Sequence, residues 1–530
     1  MEKIKKRVKL IITIFSILLF LLGCRIWYIQ VVCHDELTSA ANSQYYISLL
    51  GLDTRGNVLD RNLKPLTGGT QEYYYIINKN CVDEELGRIM DYLSADRLTK
   101  DNSSYFVYRT EIYNSHINEV LKTDYDAYVF ENQSRYADEQ PACHLIGYLN
   151  EDEQRGVSGL ELLYQRELEP SGNSLAVLAD AAGNILNGLA PTIVQTKDIK
   201  NMTGSGLVTT IDRRLQHICE QVLKQTEKDG AILVMDSDNG EILAWASAPT
   251  FNPNDIESHL YADDDCLVDK VCQGTYASGS VFKIVTAAAA LESGKADIKT
   301  EFLCSGKVTV EGVEVNCSTG GEKGHGKIDM KEAMAQSCNC YFVQLGEQIG
   351  CTEIIEMART LGFGEKCFDN FPGEASGYIP YPQDVGPWDT TNLSIGQGDI
   401  LVTPLQTARV TSLIANGGMK IEPKLIMNDA ETEKVRVIKK ETAGLIDEML
   451  KEVMKSGTGA GEWKLPVGGK TGTAEAFSSG ENINNCWFTG YFTSGEKTYV
   501  VTVLIEDGLT GSSTAIPVFK PVYNYLADNL

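Results

Sequence analysis

Histidine is scarce, six in 530 residues, and no Gly-x-Ser-x-Gly elbow occurs, so a Ser-His-Asp hydrolase has little support. Positive charge is also in deficit. The 47 Lys and Arg stand against 72 Asp and Glu, a net charge of −25, which excludes the electrostatics of a nucleic-acid binder. Cysteine, 14 residues scattered over this length, is too sparse for a disulfide-stapled miniprotein, and 43% apolar residues are too many for a disordered chain. Residues 33–200 hold no phosphate loop, metal cluster or repeat and read as a mixed, non-catalytic module.

What is present begins at the N-terminus. Lys3, Lys5, Lys6, Arg7 and Lys9 precede an uncharged, mostly apolar run over 10–24, which resumes after Arg25 as Ile26, Trp27, Tyr28 and Ile29, and no Lys or Arg follows until after Thr54. This pattern predicts a cytoplasmic tail over 1–9 and a membrane-spanning anchor over 10–32, with Arg25 snorkelling and the acidic remainder outside. Leu21-Leu22-Gly23-Cys24 resembles a lipoprotein box with Leu22 a poor fit, so the plain anchor is the main expectation. Cys338 and Cys340 lie two apart, but a metal site would need further ligands, with His325 the nearest candidate. Small buried apolar residues are the expectation there, and no metal or cofactor is expected.

Turn signals at 54–57 and 180–184 separate strand-like runs such as 73–77 and 175–178. From 201 to the end the pattern is sharper. Apolar runs at 231–235 and 241–246 flank Asp236-Ser237-Asp238-Asn239-Gly240 as a hairpin. Helices and loops follow, including the Ala-rich run 284–291 ended by Gly294. Strands at 470–476, 486–491 and 499–505 and a helix over 518–529 close the chain. This order predicts an α+β domain whose sheet is assembled from both ends of its own sequence.

Within that domain Gly279-Ser280-Val281-Phe282-Lys283 places a hydroxyl and an amine three residues apart. If Ser280 opens the helix through 291, the two lie on one face, where a desolvated Lys283 can serve as base for a serine nucleophile. Ser-x-x-Lys alone is weak, arising by chance about twice in a chain of this length, and Ser494-Gly495-Glu496-Lys497 reads as a surface turn. Ser-x-Asn is equally cheap. Ser171-Gly172-Asn173 and Ser237-Asp238-Asn239 read as turns, whereas Ser337-Cys338-Asn339 sits where a helical pattern breaks and resumes. Lys470-Thr471-Gly472 begins a strand, while Lys455-Ser456-Gly457 ends an amphipathic helix, where a capping glycine is a sufficient explanation. Helix, loop and sheet edge in the order Ser-x-x-Lys, Ser-x-Asn, Lys-Thr-Gly form the mechanical unit of active-serine acyl enzymes.

In these motifs the chain resembles the class B penicillin-binding proteins, membrane-anchored D,D-transpeptidases of peptidoglycan synthesis. The resemblance extends through 54–62, 156–164, 209–212 and 240–244, Gly324-His325-Gly326, Ile395-Gly396-Gln397-Gly398 and 469–475. It implies a penicillin-binding serine-transpeptidase fold over 201–530, a five-stranded antiparallel sheet with helices on both sides, preceded by an elongated dimerisation or pedestal module over 33–200. It further implies that Ser280 attacks the penultimate D-Ala carbonyl with Lys283 as base, Ser337 relays a proton to the leaving D-Ala, and Asn339 binds peptide and lysine. Lys470, Thr471 and Thr473 would hold the terminal carboxylate, Gly472 would leave room for the substrate to lie along the strand, and the N–H groups of Ser280 and Thr473 would be the oxyanion donors. Implied partners are stem peptides ending in D-Ala-D-Ala, β-lactams as covalent inhibitors, the membrane and a glycan polymerase, since 33–200 offers no glycosyltransferase of its own; nucleic acid is not among them. Ser278 and Val281 replace the family's usual Pro and Thr around the nucleophile, which implies altered loop rigidity and retained activity. A β-lactamase lacks support because the deacylating Glu-x-x-Leu-Asn element is missing. A D,D-carboxypeptidase, and a β-lactam sensor or idle scaffold, stand as rivals to the transpeptidase.

Overall fold

Residues 231–235 are apolar at every position and 499–505 at all but Thr502, the pattern of strands covered on both faces. In the computed structural model they belong to one five-stranded antiparallel sheet. Its strands are β1 (Gly230–Asp236), β2 (Ile242–Ala248), β3 (Val467–Ser478), β4 (Glu481–Ser494) and β5 (Lys497–Ile505), in the order β2-β1-β5-β4-β3. The structure describes residues 2–28, 30, 46–51, 55–99, 105–125, 127–150, 155–169, 173–178, 192–195, 206–261, 265–310, 312–318, 323–427, 433–478 and 480–529.

The expected hairpin over 236–240 joins β1 to β2, and β1 pairs with β5 from Gly230↔Ile505 to Asp236↔Tyr499, so the sheet is closed by the two ends of its sequence. β3 and β4 run past the apolar stretches that announce them, to Ser478↔Glu481 and Ser494↔Lys497, because ladder pairing sets their ends. Alternate side chains take opposite faces. Phe488 stacks on Phe519 of the C-terminal helix Ile516–Asn529, with ring centroids 4.5 Å apart, whereas its neighbour Thr489 shares a hydroxyl contact of 2.7 Å with Thr411 of the helix Pro404–Ala415. Helices therefore cover both faces.

Helix α1 (Lys283–Ser293) is buried from Lys283 to Ala290 and ends on Gly294 in the left-handed region at φ +68°. Its α-helical turns begin at Lys283. The expected helical start at Ser280 is a tighter 3₁₀ turn over Gly279–Phe282. Helix α2 (Met330–Ala335) opens on a capping box of Asp329 and Glu332; α3 (Asn339–Ile349) follows after a three-residue break, as the sequence implies; α4 is Lys440–Ser456.

The chain divides into two compact units. The unit that holds the sheet comprises Val58–Thr67, Tyr136–Gln165 and Leu207–Leu530. Its first segment is tied in by Val58–Leu59 running parallel to Leu207–Val208 and by the Arg61–Glu241 ion pair at 3.1 Å. The other unit comprises Met1–Asn57, Gly68–Arg135 and Arg166–Gly206. In it Gln71–Asn78, Tyr105–Thr110, Tyr128–Gln133 and Asp96–Arg97 form a four-stranded sheet. Tyr75 and Ile77 face the capped helices Glu84–Tyr92 and Ser115–Asp124 on one side, and Tyr74 and Ile76 pack with Tyr105 and Val107 on the other. Asn173–Leu178, which includes the strand-like run 175–178, pairs with Tyr46–Gly51 and Thr192–Gln195. The expected turn at 180–184 lies outside the described residues.

No helix among the described residues is long and apolar enough to cross a membrane. A helix does run over Glu2–Trp27, with every described side chain from Ile11 to Tyr28 exposed, and the expected anchor over 10–32 falls partly outside the described residues.

Candidate active site

The nucleophile candidate is held by backbone packing on two sides. Gly279 donates its N–H to the carbonyl of Gly396 at 2.8 Å and sits at φ +52°; a side chain there would stand 2.6 Å from the Thr473 carbonyl of β3. Gly396 is equally constrained, since an added Cβ would lie 2.0 Å from the Gly279 carbonyl. Only glycine permits these two approaches. Ser280 is thereby presented, half-buried, on the 3₁₀ turn leading into α1, and among the described residues its hydroxyl makes no hydrogen bond.

Lys283 is fully buried, and its amine is turned to the break between α2 and α3. It donates to the Ser337 carbonyl at 2.8 Å, to Asn339 Oδ1 at 2.7 Å and to Ser337 Oγ at 3.3 Å. Ser337 adopts φ +53°, a left-handed conformation costly for a residue with a side chain, and this conformation turns its hydroxyl toward two amines. The second is Lys470 of β3, which reaches Ser337 Oγ at 2.9 Å and the Thr471 carbonyl at 2.9 Å. Asn339 uses its amide nitrogen on the Asn316 carbonyl at 3.0 Å, so both ends of its side chain are committed.

Burial pushes the Lys283 amine down to about 8, and pushes Lys470 well below the usual lysine range, with repulsion from Lys283 adding to the effect. Burial and mutual repulsion both disfavour two ammonium groups on one buried hydroxyl. The cluster therefore supplies a neutral amine near neutral pH together with a hydroxyl, Ser337 Oγ, that accepts from both lysines and keeps its own proton to give away. This is the equipment of proton transfer around a serine nucleophile.

The remaining candidates line β3. Gly472 lies where a Cβ would stand 3.0 Å from the Ser278 carbonyl and from Val281 Cγ2. Thr473 Oγ1 accepts the Gly511 N–H at 3.1 Å, and the Thr473 carbonyl accepts from Gln397 Nε2 at 3.4 Å. Thr471 Oγ1 meets Thr458 Oγ1 at 2.7 Å. All eight candidate residues thus stand in one unit of the fold, on the three walls that the motif order implies.

Two features lie beyond the sequence reading. Gly457 does stand at the C-cap of α4, its N–H on the Val453 carbonyl at 3.1 Å, but its φ is −101° and not left-handed, and what excludes a side chain is the Ala335 carbonyl, 2.1 Å from an added Cβ. The next residue, Thr458, donates its N–H to that same carbonyl at 3.1 Å, so the segment after α4 braces both the end of α2 and Thr471. The second feature is at Cys338. The sequence offers His325 alone as a partner, whereas the fold also brings in Cys304 and Cys317; the four ligand atoms lie within 4.8 Å of one another, a set able to hold a metal ion. The signal was in the chain as three cysteines and a Gly-flanked histidine within 35 residues, but its spacing fits no common finger pattern.

Residues 230–524 match the family model described as penicillin binding protein transpeptidase domain. Among curated proteins, the chain is 29% identical to stage V sporulation protein D of Bacillus subtilis (strain 168), over 99% of this chain and 86% of that one. It is 28% identical to the peptidoglycan D,D-transpeptidase MrdA of Acinetobacter baumannii, over 96% and 85%. Among solved structures, a chain of a peptidoglycan synthase complex that coordinates polymerization and crosslinking superposes with a TM-score of 0.76 at 25% identity, covering 99% of each chain.

Proposed function

We propose, from the premise that the chain belongs to the penicillin-binding protein transpeptidase family as a class B member, that Ser280 is the acylated nucleophile of a peptidoglycan D,D-transpeptidase. The enzyme cross-links peptidoglycan stem peptides through a serine acyl-enzyme. Ser280 Oγ adds to the carbonyl of the penultimate D-Ala, and the neutral Lys283 amine takes its proton. The developing oxyanion is met by the N–H groups of Ser280 and Thr473. Ser337 delivers a proton to the departing D-Ala amine, completing the ester, and Lys470 replenishes it. An amine of a second stem peptide then displaces Ser280, forming the cross-link and returning the proton along the same path. Lys470, Thr471 and Thr473 receive the terminal carboxylate, whose charge returns Lys470 to its ammonium form. A β-lactam follows the first half and stops as a penicilloyl ester.

The observation that carries these assignments is the Ser337 hydroxyl held between Lys283 and Lys470 at 3.3 and 2.9 Å. A fluorescent penicillin labels the protein covalently and persistently, and Ser280→Ala abolishes the label; labelling that survives this change refutes the role of Ser280. Release of D-Ala with no cross-linked product, when an acceptor peptide is supplied, favours a D,D-carboxypeptidase instead.

The N-terminal helix is proposed as a single membrane anchor with the basic tail in the cytoplasm and the catalytic unit outside. Its support is the run of exposed apolar side chains behind five cations, ahead of an acidic chain. A partner glycan polymerase fits the likeness to a chain of a complex that coordinates polymerization with crosslinking. Transpeptidation needs glycan strands that nothing in the described residues would make.

A further inference from the structure

Four short strands stand over the Ser337 turn as a small module: Phe302–Cys304 paired with Gly326–Ile328, and Lys307–Val310 paired with Val313–Asn316. Its own core is thin. Among its described residues the buried apolar side chains are Cys304, Val310, Cys317 and Ile328. A module of this size does not bury enough surface to hold itself together, and small modules of this kind are stapled by disulfides or metals. Among the described residues no disulfide staples it: Cys304, Cys317 and Cys338 are all free thiols.

The geometry at their meeting point is specific. Cys317 Sγ stands 3.6 Å from Cys338 Sγ and 3.4 Å from His325 Nδ1, and Cys304 Sγ stands 3.5 Å from the same nitrogen. Around a tetrahedral zinc ion, with bonds of about 2.3 Å to sulfur and about 2.1 Å to nitrogen, sulfur atoms lie about 3.8 Å apart and sulfur and nitrogen about 3.6 Å. These three separations are close to those of ligands on one tetrahedron, and all four ligand atoms lie within 4.8 Å of one another. The residues come from separate pieces of chain. Cys304 ends one strand, Cys317 follows the second hairpin, His325 leads into the strand that pairs with the first, and Cys338 caps α3. Gly324 lets the histidine loop close, since a Cβ there would fall 1.9 Å from the Cys304 carbonyl.

We propose that Cys304, Cys317, His325 and Cys338 bind one zinc ion, and that this ion fixes the Ser337-Cys338-Asn339 turn of the catalytic cluster. Three thiolates and an imidazole suit zinc over calcium or magnesium, and four protein ligands make a closed, structural centre with no open position for water. The three cysteine thiols release their protons on binding, the histidine binds as neutral imidazole through Nδ1, and no electron is transferred. The ligand Cys338 lies between the two residues that Lys283 engages. The module is further tied to this turn by Asn339 Nδ2 on the Asn316 carbonyl at 3.0 Å and by Ser318 Oγ on the Gln336 carbonyl at 3.1 Å. The ion therefore completes a brace behind a residue held at φ +53°. The binding claim stands apart from the transpeptidase reading; only the effect on labelling rests on it.

The test uses the full chain, purified without chelator. Elemental analysis finds one zinc per chain, and replacement by cobalt(II) gives thiolate-to-cobalt charge-transfer and tetrahedral ligand-field bands. A zinc-free protein that also fails to give those bands overturns the site. This result needs no variant, so it stands even if Cys304→Ser/Cys317→Ser, expected to lose both signals, does not fold. Removing zinc with a strong chelator quickens hydrogen exchange at the amides of 336–339 and slows penicillin labelling by at least about tenfold, restored by added zinc. Unchanged exchange in the zinc-free protein overturns the bracing role. A zinc-loaded chain that takes no label refutes the role of Ser280 and leaves the zinc site standing.

Discussion

The contact between Gly396 and Gly279 gives a direct measure of how closely the nucleophile must be placed. In Gly396→Ala the new methyl would stand 2.0 Å from the Gly279 carbonyl oxygen and 2.7 Å from Phe282 Cβ. Carbon and oxygen do not approach below about 3 Å in folded proteins, so the nucleophile turn or the Gly396 loop must move by about 1 Å. Misplacing a reacting group by that distance costs about 100-fold in rate. Stability falls as well, by about 1–3 kcal/mol for the overpacking and about 1–2 kcal/mol for a side chain in the left-handed region. Gly294→Ala supplies the control. Its φ of +68° carries the same backbone cost, but nothing lies within 4 Å of the added Cβ, and it caps α1 at the end opposite Lys283. The assay is the second-order rate of covalent labelling by a fluorescent penicillin, with thermal unfolding followed in parallel. Both variants melt earlier, and Gly396→Ala alone loses about two decades of labelling rate. If the folded Gly396→Ala protein labels within about threefold of the unchanged chain, the nucleophile turn does not depend on this contact and the reasoning fails.

Labelling depends on a neutral Lys283, so its rate climbs as pH rises through about 8, where that amine loses its proton. Asn339→Asp sets a carboxylate in place of an acceptor now 2.7 Å from the amine. It favours the ammonium form and moves the midpoint up by about 1–3 units, with labelling at pH 7 reduced by roughly 10- to 1000-fold and recovering in alkali; a loss equal at every pH contradicts this role. Thr458→Val removes the hydroxyl that orients Thr471. With a D-Ala-D-Ala peptide, KM rises by about fivefold, the equivalent of about 1 kcal/mol for one hydrogen bond, kcat changes little, and Thr458→Ser restores the value; a change in kcat alone argues that Thr458 only supports the fold.

The strands of the sheet were readable because residues covered on both faces must be apolar at nearly every position, and the hairpin turn at 236–240 marked the pairing of β1 with β2; the surface turn at 494–497 proves to join β4 to β5. Serine, lysine and asparagine at motif spacing were readable as chemistry because a nucleophile and its base must come from fixed places on a helix, a loop and a strand. Contacts made by backbone carbonyls left no such mark. The need for glycine at 457 comes from Ala335, more than a hundred residues earlier, and the hydroxyl pair of Thr458 and Thr471 exists only once β3 is laid beside α4. The first turn at Ser280 was read as α-helix because a 3₁₀ turn and an α turn share the same apolar spacing over four residues. The recruitment of Val58–Thr67 and Tyr136–Gln165 into the catalytic unit is a matter of long-range pairing, as between Val58 and Leu207. The thiols around His325 were legible singly, and only the two small hairpins reveal that they converge.

The pairing of β1 with β5 joins Gly230 to Ile505. A ribosome adding about 5–20 residues per second leaves β1 without this neighbour for tens of seconds, its hydrogen-bonding edge and apolar faces finished long before the strand that covers them. A chain interrupted between the end of β3 and the start of β5 carries Ser280, Lys283, Ser337 and Lys470 and still lacks the strand that joins β4 to β1. Competence to react with a β-lactam is thus withheld until synthesis is nearly complete, and the emerging chain must be guarded from aggregation through a single exposed edge for most of that interval.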